Sequence, residues 1–247
     1  MRIVNATIYS YSSLRAKSLR QRGLRNHMTT LTTQACSAVA ARLFAEAASS
    51  ETTLEERYNA LSPQEQARFV PSNEDYRMLY QNLKDFHLAV SRETAALLYM
   101  LARSSRARVI VEFGTSFGVS TLHLAAALRD NGGGRLISTE FEPTKVAQAS
   151  ANIAAAGLAD LVEIRSGDAV ESLAKDLPEQ IDFVLLDGAK SLYPRVLSLL
   201  EPGLRPGALI VADNANWSAA YLARVRDPAA GYMSVPIGGD VEVSLRL

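Results

Sequence analysis

Residues 181–190 read Ile-Asp-Phe-Val-Leu-Leu-Asp-Gly-Ala-Lys, and residues 208–214 read Ala-Leu-Ile-Val-Ala-Asp-Asn. Each holds a short apolar run rich in β-formers, Ile181 to Leu186 and Ala208 to Ala212, that stops at an aspartate. Between them Tyr193 to Leu204 reads as a helix. A strand, helix, strand unit takes a right-handed crossover, which returns the chain parallel and ends both strands at one sheet edge, about 4.8 Å apart. Asp187 and Asp213 are therefore expected side by side.

Two neighbouring carboxylates repel each other unless a cation or a proton lies between them. Asn214 adds a neutral oxygen, and Lys190 an amine one turn beyond Asp187. Oxygen donors favour a hard ion such as Mg²⁺, Mn²⁺ or Ca²⁺. Either aspartate alone is equally well explained as the cap of the helix that follows. Their recurrence at corresponding strand ends, with a lysine beside one of them, points to a cation site. For Lys190 a plain salt bridge to Asp187 is the alternative reading.

Outward from these strands the chain alternates. Strand Val109 to Phe113, helix Ser120 to Leu128, strand Leu136 to Thr139 and helix Pro143 to Ala156, closed by Gly157, come first. Strand Leu161 to Ile164 and a helix near Ala169 to Lys175 follow. Tyr232 to Val235 and Val241 to Leu245, joined by residues 236–240, read as a terminal hairpin. The pattern predicts an α/β fold: a doubly wound, Rossmann-like, mostly parallel seven-stranded sheet with an antiparallel C-terminal hairpin. Residues 106–247 form that domain, behind an N-terminal helical extension over 29–105. The extension is broken near Pro63 and Pro71, and Leu83, Phe86, Val90, Ala95, Leu98 and Leu101 stand at helical spacing in its last section. Residues 90–94 are expected to help cover a cofactor and to build a homodimer interface.

Residues 1–28 carry Arg2, Arg15, Lys17, Arg20, Arg22 and Arg25, and the first carboxylate of the chain is Glu46. This stretch is expected to be a basic, disordered extension; a transit peptide or a basic arm are the alternatives, and Met28 a candidate true start. Lys plus Arg and Asp plus Glu both number 26, which removes any overall attraction to nucleic acid or an acidic membrane and leaves a small molecule as the expected partner. One cysteine, Cys36, and three scattered histidines exclude an internal disulfide and a zinc cluster of Cys and His, and fit a reducing, cytoplasmic compartment. No apolar run approaches the roughly 20 residues that span a bilayer.

Residues 111–121, Val-Glu-Phe-Gly-Thr-Ser-Phe-Gly-Val-Ser-Thr, place Gly114 and Gly118 at the turn from the first strand into its helix. Such a turn admits a ligand close to the backbone, and Ser120 and Thr121 at the helix start can hold a carboxylate or phosphate. Ser116 stands where a dinucleotide fingerprint needs its second glycine, and no Gly-Lys-Ser/Thr makes a P-loop. Glu140 ends the second strand, where an acid can accept both hydroxyls of a ribose. Asp168 follows the third, where an adenine edge can be met, although a helix cap explains it as simply. A nucleoside is thus expected across the carboxyl ends of strands one to three.

The series Glu112-Phe113-Gly114 with Gly118 and Ser120, then Glu140, Gly167-Asp168, Asp187 with Lys190, and Asp213-Asn214 resembles the cation-dependent class I O-methyltransferases, the group of catechol and caffeoyl-CoA O-methyltransferases. The resemblance covers roughly residues 88–247, and the Asp…Lys and Asp-Asn pair is its most specific part. It implies S-adenosylmethionine over the glycine turn, among Glu112, Gly114, Ser116, Gly118, Ser120, Asp168, Ala169 and Asp187, with its ribose on Glu140. It implies a divalent ion, Mg²⁺ first, on Asp187, Asp213 and Asn214, with Lys190 and Asp187 at the chemistry. Gly188-Ala189 departs from catechol O-methyltransferase, which has bulkier residues there. The segment between Asn214 and Tyr232 is also short beside the plant enzymes.

The reading is an O-methyltransferase acting on a hydroxyl of a small vicinal dihydroxy aromatic or similar acceptor. Lys190 is the expected base; an ordinary ammonium, with a pKa near 10.4, becomes a usable base through a nearby cation and partial burial. A metal-independent or nitrogen-directed methyltransferase, and a nucleoside-binding module without catalysis, are the competing readings. Trp217 and Tyr221 are candidates for the acceptor wall or for helix packing. His123 has no acidic partner in sequence and reads as a packing or surface residue.

Overall fold

A computed structural model describes residues 29–60, 62 and 76–247. The expected basic extension over 1–28, and the breaks near Pro63 and Pro71, lie outside the described residues. Helix α1 spans Gln34–Asn59, α2 Tyr76–Asn82 and α3 Arg92–Ser104, and no strand occurs in this part among the described residues. Ser91 starts α3 as an N-cap, its Oγ accepting the Thr94 N–H at 2.9 Å. Leu83, Phe86 and Val90 do not continue a helix into α3; they form a buried link of turns and extended chain before it.

Seven strands follow: β1 Val109–Phe113, β2 Arg135–Glu140, β3 Val162–Ser166, β4 Ile181–Leu186, β5 Leu204–Ala212, β6 Tyr232–Ile237 and β7 Val241–Arg246. Their order is β3-β2-β1-β4-β5-β7-β6, with the first five parallel and the last two a hairpin laid antiparallel to β5. Helices α4 Val119–Asp130, α5 Pro143–Ala155, α6 Ala169–Ser172, α7 Tyr193–Leu200 and α8 Ala219–Val225 cover the sheet. The central strands are continuous apolar runs because both faces are packed. Ile110, Phe183, Leu185 and Val211 face one core, which α1, α3 and α4 share; Val111, Val184, Leu186 and Ile210 face the other, against α7 and α8. The expected fold class is the observed one.

The boundary that differs most is before β5. The helix expected to reach Leu204 ends at Leu200, and residues 201–203, Glu-Pro-Gly, make a 3₁₀ turn. Leu204 then already pairs with Ile181, so β5 begins before the apolar run that marks it, with a register shift on the way. Proline ends the helix and Gly207, at φ 80°, takes up the irregularity.

Candidate active site

Registry decides which residues meet. Thr139, Phe113, Leu186 and Ala212 form one rung across β2, β1, β4 and β5. The next position on each strand is Glu140, Gly114, Asp187 and Asp213. The ladder continues through this row: the Asp187 N–H donates to the Phe113 carbonyl at 2.8 Å and the Asp213 N–H to the Leu186 carbonyl at 2.9 Å. A cavity of about 870 Å³ opens over it, and Gly114, Ser116, Glu140, Asp168, Ala169, Asp187, Lys190, Asp213 and Asn214 all line it. Gly114 has φ 105°, and a Cβ there would lie 2.7 Å from the Asp187 carbonyl oxygen. Only glycine permits that approach.

Three expected cofactor residues sit elsewhere. Glu112 is fully buried beneath the turn and lines no cavity; its Oε1 accepts the Ser120 hydroxyl at 2.5 Å, and its Oε2 accepts Thr121 at 2.6 Å and Ser138 at 2.5 Å. Ser120 and Thr121 therefore spend their hydroxyls on Glu112, and only Ser120 borders a small side cavity of about 10 Å³ next to Gly114 and Ser116. Gly118 has φ 95°, a conformation that favours glycine, and a Cβ there would meet Ile153 and Ala149 of α5. A helix start whose hydroxyls face a buried carboxylate was not separable by sequence from one that faces a ligand.

Glu140 lines the cavity and accepts the Ser116 N–H on Oε2 at 2.8 Å and the Glu142 N–H on Oε1 at 3.0 Å. Ser116 reaches that position from a left-handed φ of 48°. Burial raises the Glu140 carboxyl, against the backbone N–H groups of Glu142, Ser116 and Phe141 and the Lys145 charge. Asp168 caps α6, Oδ1 accepting the Val170 N–H at 2.9 Å, while Oδ2 accepts the Tyr76 hydroxyl at 2.7 Å and Arg77 at 2.6 Å. Burial alone would raise this carboxyl; these donors outweigh it and hold it below the ordinary range. With Oδ2 filled, an adenine amine has only the second lone pair of Oδ1.

Across the row, the Lys190 Nζ donates to Asp187 Oδ1 at 2.8 Å, both side chains 13% exposed. Burial raises Asp187 against the attraction of Lys190. Asp213, 9% exposed, is pushed up to about 7 by burial and then by the Asp187 charge. Among the described residues no three His, Cys, Asp or Glu side chains gather as a metal cluster, and the candidate set here is two carboxylates and an amide. That set fits a hard cation: all its donors are oxygens, and one positive charge between Asp187 and Asp213 offsets the burial that raises both and the Asp187 charge that adds to the rise of Asp213.

Four wall residues were missed. Tyr80 of α2 lines the cavity and is raised by burial and by the charges of Asp187 and Glu140, which puts its phenol between the two halves of the site. Tyr76 reaches Asp168 from the same helix. Lys145, 3% exposed, lies with its Nζ 5.4 Å from the Phe117 ring centre, and His87 stacks on the same ring at 3.7 Å. Tyr76 and Tyr80, four apart on a short polar helix, were the one available signal. Gly188 is buried where a Cβ would overlap the Phe113 ring at 2.3 Å, so core packing accounts for the small residue. Trp217, 68% exposed, lines the cavity, whereas Tyr221 is fully buried edge-on to Tyr193 and belongs to the core. His123 is buried, its Nδ1 2.8 Å from the Val119 carbonyl. Among the described residues no helix is long and apolar enough to cross a membrane.

Residues 111–215 match the model of a methyltransferase domain. The chain is 38% identical over 130 residues to a catechol O-methyltransferase of Niastella koreensis, covering 51% of this chain and 58% of that protein. It is 32% identical over 143 residues to one of Mycobacterium tuberculosis, covering 58% and 64%. The chain thus spans less than two thirds of the length of these curated relatives. The solved O-methyltransferase TomG of Streptomyces achromogenes, in complex with SAM, superposes with a TM-score of 0.58 at 27% identity, over 77% of this chain and 97% of that one. The resemblance carried by the strand-end motifs is borne out: residues 111–215 match a methyltransferase domain, and the chain is similar to the catechol O-methyltransferases.

Proposed function

We propose that the protein is an S-adenosylmethionine-dependent O-methyltransferase that acts on a small acceptor with neighbouring hydroxyls on an aromatic ring, assisted by a divalent cation. One observation carries this: a single row of strand ends offers Glu140 to a nucleoside and, two strands away, Asp187, Asp213 and Asn214 with Lys190 at the other end of the same cavity. A protein that only bound the nucleoside would have no use for the second cluster. SAM as cofactor is supported by the solved relative that holds it.

When bound, the cofactor supplies a sulfonium methyl and the cation a positive charge that orients adjacent acceptor oxygens. Glu140 accepts ribose hydroxyls. Asp187, Asp213 and Asn214 hold the cation, and Trp217 flanks the acceptor. Lys190 takes the acceptor's hydroxyl proton as oxygen bonds to the methyl carbon and the departing sulfur keeps the carbon–sulfur electron pair. Tyr80, Phe86 and His87 from the N-terminal helical region line the cavity and take up space that water would fill.

The test is a methyl-transfer screen over catechols and monophenols, with Mg²⁺ and with EDTA. Catechol methylation that EDTA abolishes is expected. Activity that survives EDTA removes the cation from the reaction, and calorimetric SAM binding without turnover on the panel marks a non-catalytic module.

A further inference from the structure

We propose that Asp240, on the turn between β6 and β7, is a positioning residue for the cation site: it fixes which end of the Asn214 amide the site receives. This rests on the cation reading above. β7 runs antiparallel to β5, so it enters the sheet at the edge where the parallel strands end. The pairing Ala212 with Glu242, carried two residues further, sets Asn214 opposite Asp240. Two contacts hold the pair. The Ala215 N–H donates to the Asp240 carbonyl at 2.7 Å, and the Asn214 Nδ2 donates to the Asp240 Oδ2 at 3.1 Å.

An asparagine amide has nearly the same shape either way round, and rotation by half a turn exchanges a cation-binding oxygen for an NH₂ that repels a cation. A carboxylate accepts hydrogen bonds and donates none, so Asp240 selects the NH₂ and leaves the amide oxygen for the ion. Asn214 itself is in the left-handed region, φ 46° and ψ 40°, which fixes the direction of its Cα–Cβ bond, and the contact with Asp240 then selects the amide's orientation. Asp240 is exposed, and water screens its charge. Its effect on Asn214 is therefore the hydrogen bond. The carbonyl of residue 240 tethers the turn whatever side chain it bears, so substitution removes the orienting contact and keeps the hairpin.

The experiment is Mn²⁺ titration of the full chain with S-adenosylhomocysteine present, read from the EPR signal of free Mn²⁺, on wild type, Asp240→Ala, Asp240→Asn and Asp213→Ala. Asp240→Ala is expected to bind Mn²⁺ about tenfold more weakly, the low end of losses for partners that orient a ligand. Asp240→Asn, whose amide oxygen still accepts the Asn214 NH₂, is expected within about threefold of wild type. S-adenosylhomocysteine affinity stays unchanged in both. Wild-type Mn²⁺ affinity in Asp240→Ala, beside its loss in Asp213→Ala, overturns this proposal alone. So does an Asp240→Asn as weak as Asp240→Ala, or a loss of S-adenosylhomocysteine affinity in Asp240→Ala. A wild type that binds no Mn²⁺ overturns the cation reading and this one with it.

Discussion

Replacing Glu112 with glutamine keeps the shape of a buried side chain and removes its charge. Glu112 is fully buried with three hydroxyls donating to it, yet burial outweighs them and its carboxyl is pushed up to about 7 from 4.5. In the unfolded chain the group ionises near its ordinary value; in the folded chain it holds its proton to about 7. Folding therefore takes up a proton between these values. The contribution to stability is complete below the unfolded value and lost as pH rises through the folded one. A shift of roughly 2.5 units, at about 1.4 kcal/mol each, is worth on the order of 3 kcal/mol. Paired carboxylates such as Glu242, held below the ordinary range by Arg226, move stability the opposite way in acid. The measurement is thus a difference: urea unfolding of wild type and Glu112→Gln, followed by circular dichroism from pH 5 to 8. The variant should gain about 2–3 kcal/mol on wild type across that range, most of it below pH 7. A difference flat to within about 0.5 kcal/mol would show that Glu112 ionises in the folded chain as in water, and would refute the burial account.

Lys190→Met should lower turnover at least about a hundredfold while SAM affinity, measured by calorimetry, stays within about twofold; unchanged turnover removes Lys190 from the reaction. Gly114→Ala puts a Cβ 2.7 Å from the Asp187 carbonyl oxygen at φ 105°, so a midpoint lower by roughly 5–10 °C is expected in thermal unfolding, and an unshifted one would mean the turn relaxes freely. Arg77→Ala and Tyr76→Phe each take a donor from Asp168 and should raise its carboxyl toward the ordinary range, read by carbon NMR of that group. A titration that neither variant moves would show that α2 does not hold Asp168 in solution.

How much of this site could be read from the chain follows from how each residue reaches it. Glu140, Gly114, Asp187 and Asp213 were legible because strand pattern and crossover handedness alone decide where a strand ends, and once Phe113 pairs with Leu186 and Leu186 with Ala212 the next residues must meet. Asp168 was legible in place and not in partners, since Tyr76 and Arg77 lie some ninety residues away and nothing in a short polar helix announces which carboxylate it will meet. The glycine turn misled in the opposite sense. Ser120 and Thr121 have the chemistry of an anion site, but Glu112 lies one helical approach below them and takes both hydroxyls first. Lys145 and His87 depend on how α5 and the link before α3 pack around Phe117, and packing between distant elements leaves no period in a sequence.

Asp240 stands between these cases. The hairpin was legible, and an antiparallel strand after β5 must begin at the edge where β5 ends, so some residue of the turn was bound to arrive beside Asn214. Which residue it would be depended on register, and a slip of one would have set Val241, whose side chain accepts no hydrogen bond, opposite the amide. The pairing of Ile210 with Ser244 and Ala212 with Glu242 excludes that slip, while within the hairpin Ser244 and Glu242 hydrogen-bond Ser234, and Glu242 also takes Arg226. The polar network of Glu242, Ser244 and Ser234 with Arg226 thus ties together the hairpin and the end of α8, and steadies the strand whose pairing with β5 brings Asp240 to Asn214.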